Sequence, residues 1–172
     1  MTEDDAKEAD AFYDAEQDKL FSFIRKMGLG IQDAEDVLND AFLAICTHWR
    51  EIRDGSPRGY LYRAARNEIY KRWRSSSRRP GEAWDPSAIT TGEFAQQVTD
   101  REALRGALDK LTEREREAVL LRYYAGFEIA ETALIMGGIT PGAVKRYAWD
   151  GCSKLKRALT ERTGSDTRKG TK

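Results

Sequence analysis

Apolar residues recur at intervals of three and four along nearly all of this 172-residue chain, and no stretch alternates apolar with polar. Spacing of that kind puts hydrophobic side chains on one stripe of an α-helix but gives a strand no coherent face, so the chain is expected to be all-α. A first helix is read from about Ala11 to Met27, with Phe12, Leu20, Phe21 and Ile24 inward, ending at Gly28-Leu29-Gly30. A second begins near Asp33, whose side chain can cap it, and aligns Leu38, Ala41, Phe42, Ile45 and Trp49. Its other face shows Asp36, Asn39, Asp40 and Leu43. The third opens at Ser56-Pro57, a capping residue followed by proline in the first turn, and runs to about Arg74 with Leu61, Ala65 and Ile69 inward.

The pattern then lapses. Between Ser75 and Val98 the chain carries serines, turn-forming pairs (Arg79-Pro80-Gly81, Asp85-Pro86) and little periodicity, which reads as a linker. Helices return over Asp100 to Lys110 and Thr112 to Ala125, where Thr112-Glu113-Arg114-Glu115 fits a capping box. Gly126 breaks the chain, a short helix spans Phe127 to Met136, and Gly137-Gly138-Ile139 turns into a last helix from Thr140-Pro141 to about Thr160. The expected organisation is an acidic N-terminal tail over 1–10, a small helical domain over 11–75, a flexible linker over 76–98, a second helical domain over 99–162 and a disordered tail over 163–172.

Charge is segregated although its sum is zero. The first eighteen residues hold eight acids (Glu3, Asp4, Asp5, Glu8, Asp10, Asp14, Glu16, Asp18) against Lys7, whereas from Arg50 to Arg79 ten bases face Glu51, Asp54 and Glu68. A phosphate backbone responds to charge within a screening length of about 10 Å, so the local excess matters more than the sum. No apolar run reaches about 18 residues and no secretory leader is evident, so membrane insertion and secretion are not indicated and a cytoplasmic protein is expected. Cys46 and Cys152 lie far apart without ligand-spaced companions and His48 is the only histidine, so neither a metal nor a cofactor is expected. Paired carboxylates abound, but no nucleophile with a base stands out, which disfavours an enzyme.

Two constellations carry function. Ile129, Ala133 and Met136 share one face of the short helix, and Val144, Ala148, Cys152, Leu155 and Leu159 share one face of the next; a tight glycine turn between them makes a helix-turn-helix. Thr140, Gly142, Lys145, Arg146 and Trp149 then point away from the core, where they could read a major groove. On the third helix, Arg63, Asn67, Tyr70 and Arg74, flanked by Tyr62, Arg66 and Lys71, interleave cations with rings. Unpaired bases are held in that way, because cations follow phosphates while rings stack on bases for roughly 1–3 kcal/mol each. The alternative is that Tyr60, Tyr62 and Trp73 are half-buried core residues beside snorkelling arginines.

These residues resemble a known family. The run Asp33-Ala34-Glu35-Asp36-Val37-Leu38-Asn39-Asp40-Ala41-Phe42 is similar to the acidic helix of the extracytoplasmic-function group of bacterial sigma factors, within the sigma-70 superfamily. Tyr60-Leu61-Tyr62-Arg63-Ala64-Ala65-Arg66-Asn67 resembles that group's W-L-Y-R-I-A-R-N run. Leu111-Thr112-Glu113-Arg114-Glu115-Arg116-Glu117, Leu121-Arg122-Tyr123 with Gly126, and Thr140-Pro141-Gly142-Ala143-Val144-Lys145 resemble its second half. The turn differs in having one glycine more than usual, Gly137-Gly138, while Thr132 and Leu134 stand where an apolar and a polar residue are usual.

The resemblance implies an RNA polymerase sigma factor that gives core polymerase its promoter choice and helps to open the duplex. Asp36, Asn39, Asp40 and Leu43 would bind core polymerase. Tyr62, Arg63, Arg66, Asn67, Tyr70, Lys71 and Arg74 would hold the minus-ten element, and Thr140, Gly142, Lys145, Arg146 and Trp149 would read the minus-thirty-five element. Its implied partners are bacterial RNA polymerase core and promoter DNA, with an anti-sigma factor as an optional third. A function from another class is a free-standing helix-turn-helix regulator whose N-terminal half senses a ligand or dimerises.

Overall fold

The computed structural model describes residues 2–76 and 98–166, and every regular element among them is helical. They are α1 (Glu3–Lys26), α2 (Ile31–Ile52), α3 (Pro57–Ser75), α4 (Val98–Leu108), α5 (Glu113–Val119), a π turn that extends it (Leu120–Tyr124), α6 (Ile129–Ile135) and α7 (Pro141–Asp166). Residues 77–97 of the linker expected over 76–98, and the last six residues of the expected tail, lie outside the described residues.

The first helix begins eight residues earlier than its apolar stripe suggests, so most of the expected acidic tail is helical. Thr2 and Asp5 form a reciprocal capping box, with the Thr2 amide donating to Asp5 Oδ2 at 2.8 Å and the Asp5 amide to Thr2 Oγ1 at 3.2 Å. Asp5 also accepts from Arg50 at 2.8 Å and Arg53 at 3.0 Å on α2. The acidic start is thus folded onto the basic end of α2, with Glu3, Asp4 and Asp5 in the favourable first turn. Backbone donation from Thr2, and then the Arg50 bond, hold the Asp5 carboxyl well below the usual carboxylate range.

The other boundaries follow local chemistry. α2 starts at Ile31 behind Gly30 rather than at an Asp33 cap; Asp33 lies in its first turn. Ser56 caps α3 by accepting from the Gly59 amide at 3.2 Å, with Pro57 behind it. Thr112 and Glu115 make the capping box of α5, and Thr140 Oγ1 accepts from the Ala143 amide at 3.1 Å at the start of α7. Gly137 and Gly138 have φ values of +95° and +78°, so both residues of the doubled glycine occupy the left-handed region, which penalises a Cβ.

α1, α2 and α3 pack into one helical layer around Leu20, Phe23, Ile24, Val37, Ile45, Leu61 and Ile69, all fully buried. α5 and α7 cross closely at Gly151, α6 packs on α7, and Ala118, Leu121, Ile135, Met136 and Val144 fill the space between them. Cys152 and Leu155 lie at the margin of that core, and Leu159, expected on the buried stripe, is 37% exposed. The two cores meet: α3 packs on α6, and Tyr62 of α3 lies edge-on to Phe127 at 5.0 Å.

Candidate nucleic-acid interface

Three surfaces gather the residues singled out in the sequence. On α2 the buried stripe turns Asp36, Asn39, Asp40 and Leu43 outward, and Leu43 is 67% exposed. Arg72 of α3 reaches over this face, its guanidinium 3.6 Å from Asp33, 3.7 Å from Asp36 and 3.3 Å from Asp40. Sequence reading counted Arg72 only among the bases. Its role depends on how α3 lies beside α2, which no spacing within either helix encodes.

On α7, Thr140, Gly142, Lys145, Arg146 and Trp149 are all exposed, with Trp149 at 62%. Their disposition follows from Val144 and Ala148, which face the core and turn the intervening positions outward. α6 precedes this helix by the Gly137-Gly138 turn. Thr132 is fully buried and Leu134 is 61% exposed, so the interchange of apolar and polar character noted in the sequence falls on one inward and one outward position. Tyr123 and Arg122, from the π turn, border the same face of α7 and flank an open groove whose floor is Val144, Ala148 and Cys152.

On α3 the expected set divides. Arg63, Asn67, Lys71 and Arg74 are exposed. Tyr62 is not: expected on the DNA-facing side, it is fully buried between Phe23, at 5.1 Å, and Phe127, at 5.0 Å. The correction has a simple cause. Tyr62 adjoins Leu61 on the inward arc, and a second hydrophobic surface covers the side that an isolated three-helix bundle would leave open. Burial pushes the Tyr62 hydroxyl up to about 12.

Arg66 and Tyr70 are also engaged. Arg66 Nε donates to Glu117 Oε1 and Tyr70 Oη to Glu117 Oε2, each at 2.7 Å. The Arg66 guanidinium stacks 4.3 Å from the Tyr70 ring centroid. Glu117 of α5 is completely buried, and desolvation pushes its carboxyl above the ordinary range despite Arg66. Tyr70 is pushed up as well, first by burial and then by the adjoining Glu117 charge. Arg58 Nη2 donates to the Ala125 carbonyl at 2.5 Å while its guanidinium lies 4.5 Å from the Phe127 ring. Glu117 and Arg58 carried no expectation from the sequence, because each acts across elements far apart in the chain.

Among the described residues no group of histidine, cysteine and carboxylate side chains could hold a metal ion, and no helix is long and apolar enough to cross a membrane.

Comparison with known proteins follows the same division. Residues 12–79 match the family described as sigma-70 region 2, and residues 101–159 match sigma-70 region 4. The ECF RNA polymerase sigma factor BldN of Streptomyces coelicolor is 30% identical over 169 residues, covering 91% of this chain and 63% of the relative's length. The RNA polymerase sigma-E factor of the same organism is 28% identical over 149 residues, 85% of this chain and 82% of that protein. Among solved structures, the sigma factor RpoE of Bartonella quintana, in complex with the anti-sigma factor NepR, superposes with a TM-score of 0.76 at 23% identity, over 90% of this chain and 98% of that one. CnrH in complex with the cytosolic domain of CnrY gives a TM-score of 0.66 at 21% identity, over 91% and 90%.

Proposed function

Since this chain belongs to the extracytoplasmic-function group of the sigma-70 family, we propose that it is a promoter-specificity subunit: it binds RNA polymerase core, selects promoter DNA and helps to open it, while catalysis stays with the polymerase. The observation that carries this reading is the presence, in one chain, of three separate polar surfaces: acidic with an exposed leucine on α2, and basic on both α3 and α7.

Each surface has a task. Asp36, Asn39, Asp40 and Leu43 bind core polymerase, with Arg72 holding the carboxylates in register. Arg63, Arg66, Lys71 and Arg74 contact phosphates of the minus-ten element, Asn67 lies near a base, and Tyr70 stacks. Thr140, Gly142, Lys145, Arg146 and Trp149 read the minus-thirty-five element, Arg and Lys being the side chains best matched to guanine edges in a major groove. The domain bounds that accompany this assignment are 11–75 and 99–162, with the span between them serving as a tether. The protein works in the cytoplasm, where its polymerase is. One solved structure of this fold is a sigma factor in complex with the anti-sigma factor NepR, and a partner of that kind is a candidate regulator of this chain.

Run-off transcription on a promoter library decides the matter. Core polymerase supplemented with the purified chain should start at defined sites that core alone ignores. A free-standing regulator would instead bind a duplex unaided, fail to co-elute with core, and yield no new start sites.

A further inference from the structure

The continuation of α5 is not α-helical. Over Leu120–Tyr124 it widens into a π turn, in which the Ala125 amide donates to the Leu120 carbonyl, five residues back, at 2.8 Å. Such a turn holds one residue more than an α-helical one, and π turns recur at functional sites. Its inward side is Leu120 and Leu121, and its outward side is Tyr123, 64% exposed. Arg122 anchors it: the guanidinium donates to the Phe127 carbonyl and lies 3.8 Å from Glu128. Tyr123 is thereby set beside α7, on an open groove that Lys145, Trp149, Ser153 and Lys156 also line.

Lengths decide what this groove can touch. Lys145, Trp149 and Lys156 follow one another at intervals of four and seven residues, so they share one stripe of α7. At 1.5 Å of rise per residue, Lys156 stands roughly 16 Å beyond Lys145. A major groove is only about 8.5 Å deep. With the first turns of α7 at the base edges, as a recognition helix is placed, Lys156 lies at the sugar-phosphate rim. Its charge is available there. Lys154 is held by Glu115 at 2.8 Å, whereas Lys156 pairs with no carboxylate among the described residues. An ammonium and an exposed phenol hydroxyl are both donors suited to an anionic oxygen, and contacts of that kind fix register without reading bases.

We propose that Tyr123 and Lys156 form a second line of contact to promoter DNA: they hold the phosphate backbone beside the minus-thirty-five element and set affinity and register, independently of sequence. The π turn is the device that delivers Tyr123 to that line. The inference rests on the reading of α7 given above and divides its labour. Lys145 and Arg146 choose the sequence, and the residues flanking them across the groove secure the duplex in which the choice is made.

The test uses the full chain and two duplexes, one carrying a promoter mapped by run-off transcription and one of mixed sequence. Fluorescence anisotropy follows binding from about 50 to 200 mM salt, where each phosphate neutralised by a cation contributes about 0.9 to the slope of log affinity against log salt. Lys156→Ala should lower that slope by about one and weaken both duplexes by the same factor, and Lys156→Arg should restore it. Tyr123→Phe removes a neutral donor alone, so both duplexes should bind roughly tenfold more weakly with the slope unchanged. Joint replacement of Lys145 and Arg146 by Ala should instead reduce the preference for promoter over mixed sequence. Melting temperatures should match the wild type for the Tyr123 and Lys156 variants. An unaltered slope in Lys156→Ala, full affinity in Tyr123→Phe, or a loss confined to the promoter duplex would each overturn the proposal. Absence of any start site in run-off transcription would sink the sigma-factor reading, while the mixed-sequence arm would still score the phosphate contacts.

Discussion

A buried hydroxyl shows how a single residue reports on the whole packing. Tyr62 is enclosed by Phe23 and Phe127, and its ionisation is displaced from an ordinary value of 10.0 to about 12 by desolvation. The neutral phenol is the form the folded state prefers. Its contribution is therefore complete below the unfolded value near 10 and is lost as the pH climbs through 12. Tyr62→Phe should flatten part of the fall in thermal stability across that window; an unchanged alkaline profile would mean that the ring is open to solvent. Asp36 gives the opposite lesson. Its side chain is 58% exposed and its 3.7 Å contact with Arg72 is a surface ion pair, worth about 0–1 kcal/mol. Asp36→Arg should abolish co-elution with core polymerase yet lower stability by no more than about 1 kcal/mol by that measure. A matching loss of melting temperature would show the carboxylate to be structural.

Between helices, close approach is what the sequence states least openly. Gly151 sits inside α7, where glycine costs about 1 kcal/mol relative to alanine in an isolated helix. A Cβ there would lie 2.6 Å from Val119 Cγ2 and 3.2 Å from the Glu115 carbonyl oxygen. The glycine lets α5 and α7 touch, and the contact is tied off by Lys154, whose ammonium donates to both Glu115 oxygens at 2.8 Å. Gly151→Ala should therefore destabilise the protein by about 1–3 kcal/mol, the range for overpacking, despite alanine's better helix propensity. Denaturant unfolding would read this, and a stabilised variant would contradict the packing. The outer face of α7 answers to another test. Replacing Lys145 and Arg146 together by Ala should cut promoter-specific transcripts at least tenfold, since each good base contact contributes ≈ 1–3 kcal/mol of discrimination, while core binding and melting temperature hold. Undiminished transcripts would move the DNA-reading role off this helix.

Across the whole molecule, the two helical groups share one continuous apolar cluster, joined at Tyr62 and Phe127. Small cores are marginal alone, so each half gains stability from the other. Phe127→Ala should cost about 3–5 kcal/mol, as buried phenylalanines do, and split a single calorimetric transition into two. One cooperative transition in the variant would show that the seam contributes little. The sequence by itself determined the all-α character, the start signals at Ser56-Pro57, Thr112 and Thr140-Pro141, and the outward residues of α2 and α7, because caps and helical stripes depend on neighbours three or four positions away. The start of α1 at Glu3 carried a local signal too, the capping box of Thr2 and Asp5, but no apolar stripe marks that first stretch, and its packing comes from Arg50 and Arg53 reaching Asp5 from the end of α2. The sequence did not separate Tyr62, Arg66 and Tyr70 from Arg63, Asn67, Lys71 and Arg74. All seven lie on one basic, aromatic helix, and only the docking of α5 and α6, with Glu117 and Phe127, decides which are covered. Periodicity fixes the direction a side chain takes from its own helix; what it meets there is a property of distant segments brought together by burial.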